Sequence, residues 1–234
     1  MNFESITLIA FDCYGTLIDW ETGILNALRP LFARNGNPVP DTELLKHYGE
    51  IEAELESGPY LRYRDVLART AEQIGQRLDV KVSGQQVTDF AESLPSWEPF
   101  PDTVAALQKL SKKFQLGIIS NIDDDFFAQT QKKLPVPFAV IVTAQQVQSY
   151  KPSLKNFEEA IKRSGRNKNE ILHAGQSLYH DIAPANSLGI KNVWVNRPSI
   201  VPNSGAAKPG VAQPNLEVHN LAELAGLMFP EAGP

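Results

Sequence analysis

The chain has 234 residues, of which 42% are hydrophobic and 21% are charged, a composition typical of a folded globular protein. Its 22 Lys and Arg residues against 27 Asp and Glu residues give a formal net charge of -5. This balance excludes a strongly basic nucleic-acid-binding surface, so we expect no nucleic-acid partner. No stretch approaches the roughly 18 successive apolar residues that a membrane-spanning helix requires, so we expect no membrane insertion.

The beginning of the chain lacks the basic and long apolar regions of a secretory leader. Cys13 is the single cysteine, so no internal disulfide can form. We therefore expect a cytoplasmic protein.

The first predicted element is a short, almost wholly apolar run at residues 6–11, which is typical of a buried parallel strand and leads into Asp12. Four later runs have the same character, and a segment with helical spacing of apolar residues precedes each of them. They cover residues 115–120, 138–143, 171–175 and 192–196. The alternation predicts an α/β fold with a doubly wound, mainly parallel sheet and a Rossmann-like core.

Between the first two of these strands the pattern changes to helices alone. Helices are predicted at residues 24–32, 43–56, 63–74 and 87–94. We therefore predict two domains: an α/β core formed by residues 1–19 and 96–234, and an inserted helical cap formed by residues 20–95. The proline-rich segment at residues 95–102 is expected to form a stiff connection back into the core.

The end of the chain is predicted to contain one long loop and two short elements. Residues 197–213 are rich in Pro, Gly, Ser and Ala, a composition that indicates a surface loop. A last strand and helix are predicted within residues 216–228.

Polar residues follow several predicted strands at the point where each strand ends. Asp12 follows the first strand, the pair at residues 120–121 ends the second, and residues 175–177 end a later one, with Asp181 shortly after. Ligands of open parallel sheets bind at the carboxyl ends of the strands. The sequence therefore predicts a functional site at this edge of the sheet.

Four separated motifs resemble those of the haloacid dehalogenase superfamily, in the expected order and over essentially the whole chain. They are residues 12–16 (DCYGT), 120–121 (SN), 151–152 (KP) and 175–181 (GQSLYHD). Within that superfamily the chain is similar to the type II 2-haloacid dehalogenases, because Tyr14 stands where the phosphatases carry an acid. The sequences of residues 15–24, 149–152 and 177–181 are also similar to those of hydrolases that open azetidine-2-carboxylate.

Four residues are the candidate catalytic groups. A carboxylate at a strand tip can attack an electrophilic carbon and form an ester, so Asp12 is the candidate nucleophile. An ammonium at Lys151 would keep Asp12 ionised, and the hydroxyl of Thr16 could fix its direction. Asp181 could bind Lys151 or orient the water that hydrolyses the ester. The plain structural alternatives are turn and capping roles for Asp12 and Thr16, an exposed lysine, and an ion pair without catalytic function.

Five residues are candidates for substrate binding. Ser120 and Asn121 could hold a substrate carboxylate with a hydroxyl, an amide and free helix N–H groups, although simple helix capping is the alternative. Tyr14 could form a wall of the pocket. The resemblance implies two more candidates, Gln176 in the last motif and His47, which occupies the place of a cap arginine when residues are counted without gaps.

Other residues near these motifs mark departures or structural roles. By the resemblance, Phe157 stands in place of a tyrosine, and Arg62 or Arg64 could replace the cap arginine. His173 is expected to be a core residue, and His180 is expected either to point into the cleft or to pack at the start of the following helix.

We predict that the protein uses no metal and no other cofactor. The phosphatases of this superfamily hold Mg²⁺ with an acid where this chain has Gln176, and one carboxylate with an amide makes a weak magnesium site. The same substitution and Tyr14 oppose phosphoryl transfer, since tyrosine is a poor acid for an alkoxide leaving group.

The sequence therefore predicts a hydrolase in which Asp12 displaces a halide or related substituent from C2 of a small-molecule carboxylate substrate, giving a 2-hydroxy acid. Three alternatives stay open at this point: an azetidine-2-carboxylate ring-opening hydrolase, a small-metabolite phosphatase, and a binding protein without catalytic activity. The family resemblance also makes a homodimer an expectation.

Overall fold

The protein is described from a computed structural model, which covers residues 3–32, 38–201 and 205–229. Parts of three predictions fall outside the described residues: residues 33–37 of the predicted cap, residues 202–204 of the predicted loop, and residues 1–2, 202–204 and 230–234 of the predicted core domain. The remaining parts of that loop contain no helix or strand.

A single six-stranded sheet organises the described part of the chain, with strand order β3-β2-β1-β4-β5-β6 and all neighbours parallel. The predicted α/β fold with a parallel sheet is confirmed. The strands are β1 (Leu8–Phe11), β2 (Gln115–Ser120), β3 (Val140–Thr143), β4 (Ile171–Gly175), β5 (Lys191–Val195) and β6 (Leu216–Val218).

Both faces of the sheet are covered by apolar side chains. Along β1, Ile9 and Phe11 belong to one cluster of buried residues, whereas Leu8 and Ala10 belong to another. Successive side chains of a strand point to opposite faces, so this alternation places one cluster on each side of the sheet. Burial on both faces explains why the strand reads as a continuous apolar run.

Ten α-helices accompany the sheet in the described residues. They are α1 (Trp20–Phe32), α2 (Asp41–Ser57), α3 (Tyr63–Arg77), α4 (Gly84–Ala91), α5 (Thr103–Leu110), α6 (Asp124–Thr130), α7 (Ala144–Val147), α8 (Leu154–Ser164), α9 (Ala183–Leu188) and α10 (Leu221–Met228).

Helices α1 to α4 lie between the first two strands, where helices alone were predicted, and pack against one another. The larger of the two clusters of buried residues continues from the sheet into these helices, from Phe11 to Leu44 and Val66. The segments that enter and leave this region run side by side, since the N–H of Asp19 donates to the carbonyl of Glu98 over 2.8 Å. The division into a core domain and a cap domain remains a prediction.

None of the helices in the described ranges is long and apolar enough to cross a membrane.

Gly23 of α1 provides a test of the packing between this helix and Trp97. A Cβ built on Gly23 would lie 2.3 Å from Cγ of Trp97, a buried side chain. We expect Gly23→Ala to lower the free energy of unfolding by roughly 1–3 kcal/mol, the usual cost of overpacking a core. Gly226→Ala is the matched control, because a Cβ at this helical position meets nothing within 4 Å. Chemical denaturation of both variants checks the prediction, and equal stabilities would contradict it.

Candidate active site

Asp12 lies at the carboxyl end of β1 and is 7% exposed. A tight turn follows it, in which Leu17 N–H donates to the carbonyl of Cys13 over 2.7 Å, and Gly15 adopts φ +90 in the left-handed region that favours glycine. The turn brings Thr16 back to the strand tip, so that its hydroxyl donates to Oδ2 of Asp12 over 2.6 Å. The side chain of Cys13 is fully buried.

Lys151 joins Asp12 to Asp181. Its Nζ lies 2.7 Å from Oδ1 of Asp12 and 2.7 Å from Oδ1 of Asp181, and it also donates to the carbonyl of Ile119 over 3.0 Å. An ammonium has three donors, so these contacts use them all. The three residues are almost completely buried, so their charges interact strongly.

Asp181 is held from several sides in a π-helical turn, Leu178–Ile182. Besides Lys151, its oxygens lie 3.0 Å from Nε2 of His173 and accept the N–H of Ser177 over 3.2 Å. His173 is buried, as predicted, but its contact with Asp181 gives it a positioning role that the sequence did not indicate. Its ring packs edge-on against Phe157, with centroids 4.9 Å apart.

The protonation states of Asp12, Lys151 and Asp181 follow from their burial and from the charges that they place on one another. Burial raises the pKa of Asp12, and the nearby Lys151 ammonium opposes that rise. Burial alone would lower the pKa of Lys151, but the two carboxylates raise it above its usual range. Burial alone would raise the pKa of Asp181, but Lys151 and His173 hold it below its usual range. Lys151 therefore stays charged at neutral pH, and Asp181 stays ionised.

Ser120 and Asn121 lie at the end of β2, beside Lys151. The side chain of Asn121 accepts the N–H of Lys151 over 2.7 Å and donates to the carbonyl of Lys151 and to a carboxyl oxygen of Glu56. These bonds occupy the amide, so Asn121 connects elements instead of offering a free substrate ligand. The hydroxyl of Ser120 is buried and has no hydrogen-bond partner among the described residues.

Tyr14 and Gln176 both line the cavity that contains Asp12. The hydroxyl of Tyr14 lies 2.8 Å from Oγ1 of Thr130, so its polar end is already paired. Burial raises the pKa of Tyr14 well above its usual value, which makes it a poor proton donor. The N–H of Gln176 donates to Oγ1 of Thr16 over 2.9 Å, which fixes the hydroxyl that holds Asp12.

The structure does not bring His47 into this site. Its Nδ1 lies 3.3 Å from Nη1 of Arg77, and its Nε2 lies 3.7 Å from Glu43. Gly49, Glu52 and Glu56 of the same helix face Asp12, and His47 is on the opposite side of the helix. Counting without gaps therefore led to a residue of α2 that lies outside the cavity.

Arg62 and Arg64, which could replace the cap arginine, do not line the cavity either. Arg64 pairs with Glu92 and Asp125, and Arg62 pairs with Asp123 and Asp125. These arginines connect the start of α3 to the start of α6 and to the end of α4, and neither of them lines the cavity around Asp12.

Two acidic side chains of α2 line the cavity instead, and sequence reasoning did not single them out. Oε1 of Glu52 accepts the hydroxyls of Tyr48, over 2.8 Å, and of Tyr63. Glu56 follows one helical turn later and is bound by Asn121. The signal was present in the sequence, because residues 48, 52 and 56 follow one another at intervals of four on the buried stripe of a predicted helix.

His180 also lines the cavity, which is one of the two positions that the sequence left open for it. Its N–H and its Nδ1 contact the hydroxyl of Ser177, while Nε2 lies 3.8 Å from Oε2 of Glu56. Burial lowers the pKa of His180 to about 4, so the imidazole is neutral at neutral pH.

The cavity around Asp12 is small, about 50 Å³, and adjoins a cleft of about 1130 Å³. Both are lined by Trp20, Gly49 and Gln176 and by Ala207 and Lys208 of the long loop before β6. The cleft therefore provides a route from solvent to a site with room for small molecules only.

The residues around Asp12 do not fit a magnesium ion. Lys151 already places a positive charge between Asp12 and Asp181, and Gln176 supplies an amide instead of a third carboxylate. No group of three or more His, Cys, Asp and Glu side chains suited to a metal ion occurs in the described parts of the chain.

Glu52 gives a prediction about stability. Burial raises the pKa of its carboxyl from 4.5 to about 7, although Tyr63 and Tyr48 oppose the rise. The folded protein therefore binds a proton between these pH values that the unfolded chain has released, so stability from this group falls as pH rises from 4.5 to about 7. We expect Glu52→Gln to make the free energy of unfolding depend less on pH. The difference in free energy of unfolding between the variant and the wild-type protein should be roughly 1–3 kcal/mol more favourable to the variant at pH 8 than at pH 4.5.

Denaturation curves at several pH values check this prediction. Glu43→Gln is the matched control, because Glu43 lies on the same helix but is exposed and outside the cavity. A pH dependence identical in wild-type protein and Glu52→Gln would contradict the prediction.

Comparison with known proteins agrees with the geometry. Residues 9–195 match the family model described as haloacid dehalogenase-like hydrolase. The chain is 28% identical over 229 residues to an (S)-2-haloacid dehalogenase of Pseudomonas putida, covering 95% of this chain and 96% of that protein. It is also 30% identical over 166 residues to a glyceraldehyde 3-phosphate phosphatase of Methanothermobacter thermautotrophicus, covering 69% of this chain and 71% of that protein.

A solved structure shares the fold over almost the whole length. The L-2-haloacid dehalogenase of Xanthobacter autotrophicus with covalently bound chloropropionic acid superposes with a TM-score of 0.81 at 17% identity, covering 97% of this chain and 100% of that chain. The family model spans most of the chain and includes Asp12, Lys151 and Asp181. The protein is therefore a hydrolase of the haloacid dehalogenase-like family, in its 2-haloacid dehalogenase-like branch.

Proposed function

We propose that the protein hydrolyses a small 2-substituted carboxylate through an ester between Asp12 and C2 of the substrate. The observation that carries this proposal is the position of Asp12: a buried carboxylate at a strand tip, held by Lys151 and Thr16 and facing a cavity of about 50 Å³. A carboxylate held in this way can form a covalent intermediate, which divides one difficult displacement into two easier steps.

The first step is an in-line displacement. A carboxylate oxygen of Asp12 attacks C2, the bond from C2 to the substituent breaks, and the substituent leaves with the electron pair. Water then attacks the ester carbonyl, and cleavage of the bond between that carbon and the ester oxygen releases a 2-hydroxy acid and restores Asp12. The ammonium of Lys151 lies beside the oxygen that becomes negative in this second step, where it stabilises the developing charge.

The state of Tyr14 supports a leaving group other than an alkoxide. Its hydroxyl is paired with Thr130 and its pKa is raised, so no acid stands two residues after the nucleophile. A halide leaves without a proton, whereas an alkoxide requires one. This favours cleavage of a bond to C2 over phosphoryl transfer, and the poor fit to magnesium favours a reaction without a metal.

The substrate carboxylate has two candidate partners in the cavity. The hydroxyl of Ser120, which has no hydrogen-bond partner among the described residues, belongs to a residue that lines the cavity at the end of β2, and Lys208 lines the cavity from the long loop before β6. We propose that the helical cap, residues 20–95, closes over this arrangement and excludes bulk water, because α2 supplies one wall of the cavity.

The product configuration tests this proposal. A single displacement at C2 inverts its configuration, so we expect (S)-2-chloropropionate to give (R)-lactate without added metal, as measured by chiral chromatography. Retention of configuration would contradict the proposal. Phosphate release from an aryl phosphate that requires Mg²⁺, with no turnover of 2-substituted carboxylates, would favour a phosphatase instead.

A further inference from the structure

We propose that Glu52 and Glu56 form a binding site for a protonated amine, and that the substrate of this hydrolase carries such a nitrogen on or next to C2. This inference rests on the proposed function for the reacting carbon. The inference adds the chemical class of a group that the substrate carries on or next to that carbon.

The two carboxyl groups belong to the wall of the cavity that faces Asp12. Both residues line the cavity, and their spacing of four residues on α2 places them on one face of the helix. Among the described residues, Glu56 Oε1 and Oε2 accept a hydrogen bond from the Nδ2 amide of Asn121 alone, over 3.3 and 3.1 Å. A carboxylate has about four acceptor positions, so Glu56 keeps room to accept further N–H donors.

The charges around the cavity are unbalanced in a way that favours a cation. Four of its lining residues carry carboxyl groups: Asp12, Glu52, Glu56 and Asp181. Against them stand Lys151, which Asp12 and Asp181 already share, and Lys208, which lies over the ring of Tyr179 at 4.3 Å. A substrate ammonium would supply the missing positive charge at the α2 side.

Without such a cation, the carboxyl groups respond to burial by holding protons. Burial, followed by the charge of Glu52, raises the pKa of Glu56 well above its usual value. The imidazole of His180 lies near Glu56. It is neutral at neutral pH and therefore does not compensate the negative charge of an ionised Glu56. An ammonium bound here would favour the ionised carboxylate.

Ser120 provides a second and independent sign of a ligand in the same cavity. Its side chain is 1% exposed, lines the cavity, and finds no hydrogen-bond partner among the described residues. Buried hydroxyls are rarely left unpaired in folded proteins. A small molecule that carries both a carboxylate and an ammonium would satisfy Ser120 at the end of β2 and Glu56 on α2, which line the same cavity.

Azetidine-2-carboxylate and cyclobutanecarboxylate provide a matched pair of probes, because the two molecules differ mainly by the ring nitrogen and its charge. Binding is measured by calorimetry at pH 7.5 in Asp12→Asn protein, which cannot form the ester. We expect the azetidine to bind at least about tenfold more tightly, the effect of one charge-assisted hydrogen bond. Adding Glu56→Gln should remove the difference, whereas adding Glu43→Gln on the same helix should preserve it.

Equal binding of the two probes, undetectable binding of both at millimolar concentration, or a preference that survives Glu52→Gln combined with Glu56→Gln would each overturn the ammonium site. These outcomes do not depend on ester formation. Failure of the proposed reaction would instead appear in wild-type protein as 2-substituted carboxylates that are not hydrolysed, so the two failures are distinguishable.

Discussion

Lys151→Met is expected to lower kcat by about two to three orders of magnitude, because removing one preorganised group that stabilises the developing charge costs roughly 3–4 kcal/mol of transition-state stabilisation. The substitution leaves Asp12 and Asp181 facing each other without the ammonium that now lies 2.7 Å from each of them. The nucleophile would then hold a proton at neutral pH, since burial already raises its pKa and only the opposing charge would be lost.

The stability of this variant should depend on pH in a defined direction. Without Lys151 the two buried carboxyl groups have folded-state pKa values above those of the unfolded chain, so their protonated forms favour folding at low pH and this contribution is lost as pH rises. We therefore expect Lys151→Met to be more destabilised at pH 8 than at pH 5. Steady-state kinetics and denaturation curves check both effects.

Lys155→Met is the control for Lys151→Met, because Lys155 is exposed on α8 and does not line the cavity around Asp12. Its kinetics should equal those of the wild-type protein. Full activity of a folded Lys151→Met variant would show that the ammonium between the two carboxylates is not required.

Gly175→Ala is expected to reduce kcat by about tenfold to a thousandfold through displacement of Asp181, since even a 1 Å misplacement of catalytic groups is costly. A Cβ at residue 175 would lie 2.4 Å from Cγ and 2.6 Å from Oδ2 of Asp181, too close for either atom to remain in place. Asp181 holds Lys151, and Lys151 holds Asp12, so the shift reaches the nucleophile.

Gly84→Ala is the matched control for Gly175→Ala, because a Cβ at residue 84 meets nothing within 4 Å. Circular dichroism establishes that both variants are folded, and kinetics with a 2-substituted carboxylate measure the effect. Wild-type kcat in folded Gly175→Ala would contradict the proposed dependence of Asp12 on the position of Asp181.

The sequence predicted most of the secondary structure because the two patterns used are strong: continuous apolar runs for the strands and helical spacing of apolar residues for the helices. The apolar runs at residues 115–120 and 171–175 coincide with β2 and β4, and Asp12, Lys151 and Asp181 do meet at the carboxyl edge of the sheet. Strand ends converge in any open parallel sheet, so this convergence follows from topology alone.

The side of the cavity that α2 forms could not be derived in the same way. Which face of α2 meets Asp12 depends on how this helix packs, and a shift of two residues separates His47 from Gly49, on opposite sides of the helix. The spacing of Glu52 and Glu56 places them on one stripe of a predicted helix, but only tertiary packing shows that this stripe meets Tyr63 and Asn121 beside the cavity. His173 likewise reads as a core residue until the turn that carries Asp181 is placed next to it.

The central claim, that Asp12 forms an ester with the substrate, is tested most directly by isotope transfer in a single turnover. Excess wild-type enzyme is mixed with 2-chloropropionate or azetidine-2-carboxylate in ¹⁸O-water, and the peptide that contains Asp12 and the released hydroxy acid are weighed by mass spectrometry. Attack of water on the ester carbonyl predicts one ¹⁸O atom in Asp12 and none in the hydroxy acid. Hydroxy acid that carries the ¹⁸O, with unlabelled Asp12, would contradict the ester mechanism.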